Sequence, residues 1–102
     1  AMPENYTVSY ARAAKLKLKQ LYPLIVSAGV KQEFFETLRR LEARLQNEPM
    51  TFGESLYTHP HTKMVIRHGI EGFVICFWAV NDEKKIVLVR DYQLLPNITL
   101  ST

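Results

Sequence analysis

Between Gly72 and Leu95 the chain reads GFVICFWAVNDEKKIVLVRDYQLL: two apolar runs, rich in β-branched and aromatic residues, around the polar linker Asn81-Asp82-Glu83-Lys84-Lys85. Runs this short, interrupted by turn residues, fit the strands of an antiparallel hairpin rather than buried helices. Phe73 to Val80 is apolar without alternation, so both faces of that strand are apolar. Such a strand belongs at the centre of a sheet and needs cover above and below. The following strand, Ile86 to about Tyr92, alternates. Ile86, Leu88, Arg90 and Tyr92 share one face, Val87, Val89 and Asp91 the other, and Pro96 stops the run.

The preceding chain supplies the cover. Tyr6 to Tyr10 alternates in period two and reads as a short first strand. ARAAKLKLKQLY, from Ala11 to Tyr22, is built from strong helix formers, with Ala14, Leu18, Leu21 and Ile25 on one face. Pro23 is expected to end or kink this helix near Tyr22, with a short helical piece from Pro23 to Ala28 and a stop at Gly29. Val30 to Asn47 reads as a second helix. Phe34, Leu38, Leu41 and Leu45 make its buried stripe, Phe35 lies beside it, and Glu36–Arg40 is an i,i+4 pair. Asn47-Glu48-Pro49 ends it. Met50 to Ser55 is a loop, Leu56-Tyr57 begins a strand broken at His59-Pro60, and His61 to His68 is the next strand. There Thr62, Met64 and Ile66 face one way, and Lys63, Val65 and Arg67 the other. Gly69 to Gly72 is the turn into the central strand. The expected architecture is α+β, one domain over residues 1–102: an N-terminal strand, then a helical hairpin packed on one face of a small curved antiparallel sheet. Ala1 before Met2 is read as a tag remnant. Residues 97–102 are read as a flexible tail, or as an added strand through Ile98 and Leu100.

Composition narrows the function classes. The chain has 102 residues and a formal charge of +3, which permits a nucleic-acid or acidic-protein partner without requiring one. No apolar run approaches the roughly 20 residues of a membrane helix, and the N-terminus has no secretory pattern. A lone cysteine, Cys76, excludes an intrachain disulfide and fits a reducing cytoplasm. Its place in an apolar strand marks a small buried hydrophobe.

The second helix running into Asn47-Glu48-Pro49, then Phe52-Gly53-Glu54-Ser55-Leu56, a basic strand with Lys63 and Arg67, the hydrophobic strand, the polar turn at Asn81-Asp82 and a valine-rich last strand together form a pattern. It resembles the RelE/ParE superfamily, the toxins of bacterial toxin–antitoxin pairs. The resemblance implies a RelE/ParE-like fold, a cytoplasmic protein, and an antitoxin peptide as partner. For RelE-like members it also implies cleavage of messenger RNA on the ribosome, with no cofactor or metal; ParE-like members poison DNA gyrase. Lys63 falls where the family carries a strand lysine. A second lysine position is Val65, and an arginine position in the next strand is Ile75. No counterpart of the family's late helix is expected after Pro96, so Arg90 and Tyr92 are the late candidates.

Cleavage of RNA by its own 2′-hydroxyl needs a proton acceptor, a proton donor and positive charge at the phosphate. Lys63, Arg67 and Arg90 are candidates for the charge, and Tyr92 or His68 for the proton. Strand parity groups Lys63 with Arg67 and Arg90 with Tyr92, and puts His68 on the other face. As solvated charges, the same cations would protect a sheet edge. His59-x-His61 has the spacing of a metal pair, but Pro60 interrupts the strand and no further ligands stand nearby. Arg12, Lys15 and Lys19 line one helix face, with Lys17 off it, as a phosphate-contacting stripe or as a solvated surface. Phe77 and Trp78 lie on opposite faces of the central strand. One belongs to the core; the other is covered by the tail, an antitoxin segment or a second copy in a homodimer. Two functions remain open: a toxin-like endoribonuclease acting through Lys63, Arg67, Arg90 and Tyr92, and a catalytically degenerate relative that binds protein or dimerises.

Overall fold

The computed structural model describes residues 5–96, and the unbroken apolar run finds its place at the middle of its sheet. The elements are β1 (Thr7–Tyr10), α1 (Arg12–Ser27), α2 (Lys31–Asn47), β2 (Glu54–Thr58), β3 (Val65–Glu71), β4 (Val74–Asn81) and β5 (Ile86–Leu94). The strands form one sheet in the order β1-β5-β4-β3-β2, so β4 is central. Strands β2 to β5 pair antiparallel, whereas β1 lies parallel to β5 at the edge. The fold is therefore α+β, with a mostly antiparallel sheet. The tail strand through Ile98 and Leu100 falls outside the described residues, as does Ala1.

One face of β4 makes the core. Val74, Cys76, Trp78 and Val80 are buried against Ala14 and Ile25 of α1 and Phe34, Leu41 and Leu45 of α2, joined by Val87, Val89 and Tyr92 of β5. The helical stripes are those expected from their spacing, except that Thr37 joins the buried side of α2 and Leu38 is only half-buried. Thr37 satisfies its hydroxyl within the helix, donating to the Glu33 carbonyl at 2.8 Å.

Several local expectations are corrected. Pro23 does not break α1, which continues to Ser27. Proline removes the amide that would bond the Lys19 carbonyl. Both residues are exposed, so that carbonyl faces solvent rather than the core, while Ile25, two residues on, anchors the helix. The helix ends instead as the glycine suggests: the Gly29 amide donates to Val26 and that of Val30 to Ile25, closing a Schellman-type stop. Strand β3 starts at Val65, not His61, and runs through Gly69 to Glu71; the turn is only Gly72-Phe73. The pair Glu36–Arg40 does not form. Arg40 reaches across to Glu71 of β3 at 3.1 Å, joined there by Arg44 at 3.3 Å, which fastens the β3–β4 turn to α2.

Two substitutions test this account by thermal or denaturant unfolding. Pro23→Ala restores an interior helix bond and is expected to stabilise the protein by up to about 3 kcal/mol. Gly53 has φ +71°, and a Cβ there would stand 2.0 Å from the His68 carbonyl oxygen. Gly53→Ala is expected to destabilise by about 2 kcal/mol or more.

Candidate functional site: the groove on the outer face of the central strand

The face of β4 turned away from the core carries rows of paired residues, of which two floor a groove. Ile66, Ala79 and Leu88 make one row; His68, Phe77 and Asp91 make the next. Phe77 is half-buried and stacks on His68, with ring centroids 6.0 Å apart and planes 17° from parallel. Trp78, with 0% exposure, is wholly in the core and takes no part in an outer surface. Of the two aromatics weighed as a homodimer contact, only Phe77 faces outward.

Strand β5 carries a bulge. Phe77 pairs with Asp91 and Trp78 with Val89, leaving Arg90 as the extra residue. A one-residue shift exchanges the faces of everything beyond it. Arg90 and Tyr92 therefore part company: Arg90 is exposed and lines the groove, whereas Tyr92 turns into the core beside Cys76. A second bulge places Leu56 between the pairs Ser55–Arg67 and Tyr57–Ile66, and both Leu56 and Tyr57 line the groove.

Helix α1 supplies the facing wall. Strand β1 ends at Tyr10, the Ala11 amide donates to the Val89 carbonyl at 2.8 Å, and the chain then turns into α1 alongside β5. Lys17 Nζ lies 3.5 Å from Asp91 Oδ1 and holds the helix to the strand. Leu16, Lys17 and Gln20 thus oppose Leu56 and Tyr57 across a floor of Ile66, Phe77 and Leu88, enclosing about 800 Å³ with Arg90 and Gln93 at its rim. Leu16, Leu56 and Tyr57 are 47%, 49% and 50% exposed, so the walls remain wet and apolar. Sequence reasoning missed this groove. Its signal was Leu16, an apolar residue off the buried stripe of an otherwise polar helix face.

The four candidate catalytic residues do not converge. Lys63 lies outside any strand, exposed, at φ +61° in the connection between β2 and β3. Arg67 sits on the core side of β3, 8% exposed, donating to the Phe52 carbonyl at 3.1 and 3.3 Å and to the Gly53 carbonyl at 3.0 Å. It therefore braces the loop before β2. Burial raises the Tyr92 hydroxyl far above its ordinary value, which keeps it protonated. Only Arg90 stands at the groove, and His68 occupies the same sheet face by register. His59 Nδ1 accepts the amides of His61 and Thr62, forming a turn, so this nitrogen is already engaged. Among the described residues no group of three or more His, Cys, Asp or Glu is placed to hold a metal ion.

Cys76 is buried, and desolvation followed by the Asp91 charge pushes its thiol up to about 12. Tyr10 shifts the same way, by burial and by its hydrogen bond to Glu42 at 2.6 Å. Groups with raised values stabilise the fold fully below their unfolded values and lose that contribution as pH climbs through the folded ones. Unfolding titrations should show stability falling above about pH 9, where an unfolded thiol ionises. A thiol reagent at neutral pH should react with Cys76 only on unfolding. Arg67→Ala is expected to destabilise by roughly 2–3 kcal/mol, and Arg90→Ala by less than about 0.5 kcal/mol, in the same assay.

No family model matches the sequence, and no curated protein matches it. Among solved structures, the chain is similar to one in the crystal structure of the toxin–antitoxin complex RelBE2 from Mycobacterium tuberculosis. The TM-score is 0.56 at 22% identity, over 91% of this chain and 94% of that one. The likeness spans nearly the whole of both chains and shows a shared α+β fold.

Proposed function

We propose that the chain is the toxin-like component of a bacterial toxin–antitoxin pair, and that a segment of its antitoxin lies in the groove between α1 and β2. One observation carries this reading: in a fold shared with a chain of a toxin–antitoxin complex, the outer face of the central strand is an open apolar groove. Burying each large apolar side chain there contributes about 1.5–3 kcal/mol. Arg90 favours an acidic flank on the incoming segment, while Lys17 is paired with Asp91. The groove's apolar lining suits a protein segment better than an RNA strand, and the burial of Arg67 and Tyr92 favours a binding module over a complete nuclease.

A second reading, a metal-independent mRNA endoribonuclease, draws on Arg90 at the rim and His68 on the same sheet face. Arg90 would offset charge on the phosphate and His68 would move the proton. Lys63, Arg67 and Tyr92 would then act, if at all, from outside the groove.

Inducible expression in a bacterial host tests the proposal. Wild-type protein is expected to arrest growth, and co-expression of the small reading frame adjoining its gene to restore it. Phe77→Glu, folded by circular dichroism, should no longer be captured by that product. Normal growth at high soluble expression would overturn the toxin-like reading. Arrest with message lengths unchanged would remove the nuclease.

A further inference from the structure

The outer surface of the helical hairpin, away from the groove, combines unpaired cations with exposed rings. On α1, Lys15, Lys19 and Tyr22 follow one another at i, i+4 and i+7 and so share a face; on α2, Lys31, Phe35 and Arg39 do so at i, i+4 and i+8. The two ladders meet where the Tyr22 and Phe35 rings approach to 6.1 Å, tilted by 41°, with Lys31 Nζ 6.0 Å above the Tyr22 ring. All six side chains are exposed, the rings at 39% and 41%. None of the four cations makes an ion pair among the described residues, and Arg12 extends the ladder one turn further with none either. Glu36 stands among these residues and Glu42 nearby; they accept from Gln32 at 3.4 Å and from Tyr10, neither pairs with a ladder cation, and the five cations outnumber them.

We infer that this face binds single-stranded nucleic acid, its phosphates along the lysine and arginine ladders and its bases stacked on Tyr22 and Phe35. Cations tracking a backbone beside aromatic platforms are the requirement for sequence-tolerant strand binding. The α1 stripe alone lacks the rings; the hairpin brings Phe35 of α2 beside Tyr22 to complete it. Charge selects the occupant. A second copy docking through this face would set like charges against one another, whereas a polyphosphate backbone is complementary. The inference does not rest on the toxin-like reading, because it uses none of the groove residues.

Fluorescence anisotropy of a short labelled oligouridine with the whole chain tests it. Binding is expected to weaken roughly 50- to 130-fold between about 50 and 200 mM salt, as four or five neutralised phosphates on a single strand require. The double variant Lys15→Glu/Lys19→Glu should abolish binding, and Tyr22→Ala or Phe35→Ala should weaken it roughly tenfold or more each. Phe77→Glu in the groove should leave it unchanged, and circular dichroism should show every variant folded. No salt-dependent binding by the wild type would overturn the inference, as would affinity indifferent to the helix variants or lost with Phe77→Glu. Poly-L-glutamate competing as well as the RNA, charge for charge, would also overturn it, by showing an acidic-protein surface with no role for the rings.

Discussion

The fold is organised around the indole of Trp78. Its ring lies flat against Phe52, centroids 5.2 Å apart and planes 7° from parallel, and the Arg44 guanidinium sits 4.0 Å from the Phe52 ring centre. The indole Nε1–H donates to the Pro49 carbonyl at 3.2 Å, so the polar edge of a fully buried ring is satisfied. Gly69 on the neighbouring strand makes room, since a Cβ there would meet both rings at about 3 Å. One side chain of the central strand thereby sets the end of α2, the loop that follows it and the course of β3. Arg67 completes the arrangement by holding the Phe52 and Gly53 carbonyls from the far side. A large aromatic is favoured here because it buries much apolar area while its single donor needs only one partner.

That anchoring leaves the opposite face of β4 to be handled differently. The sheet is capped on its core side by both helices, yet the outer side of the same strand carries Phe77 and Ile75. Helix α1 partly resolves this. Because β1 stops after four residues, α1 comes to lie beside β5 and presents one flank to the core and another to the outer face. The Lys17–Asp91 contact holds it there. What results is a half-covered strand face, a groove between a helix and an edge strand, in place of either a closed core or a flat sticky surface.

The groove and the hairpin's outer surface differ in chemistry as well as place. The groove is mainly apolar, with Arg90 and the Lys17–Asp91 pair as its charged groups, and suits a partner with its own apolar side chains. The helical surface is mainly cationic, with two rings set among the charges, and suits a charged polymer. A molecule of net charge +3 has few cations to spare. Of those in helices, Lys17, Arg40 and Arg44 are engaged in holding elements together, while Arg12, Lys15, Lys19, Lys31 and Arg39 are left facing solvent.

The composition of Phe73 to Val80 determined that β4 would be central, because a strand apolar on both faces has no stable place at an edge. The spacing of Phe34, Leu41 and Leu45 likewise determined which side of α2 is buried, and Cys76 was legible as an inert packing residue. The candidate site was not legible in the same way. Counting alternate residues along ideal strands pairs Lys63 with Arg67 and Arg90 with Tyr92. Counting fails wherever pairing inserts a residue, as it does at Arg90, or where a strand starts late, as β3 does beyond Lys63. Nothing local to Arg90 announces a bulge, since it arises from how β5 must shift to pair with both halves of β4. The tertiary structure alone decided that Tyr92 is core, that Arg67 is a brace, and that Leu16 meets Leu56 across a groove. Faces and neighbours between elements are set by register and docking, which depend on contacts far apart in the chain.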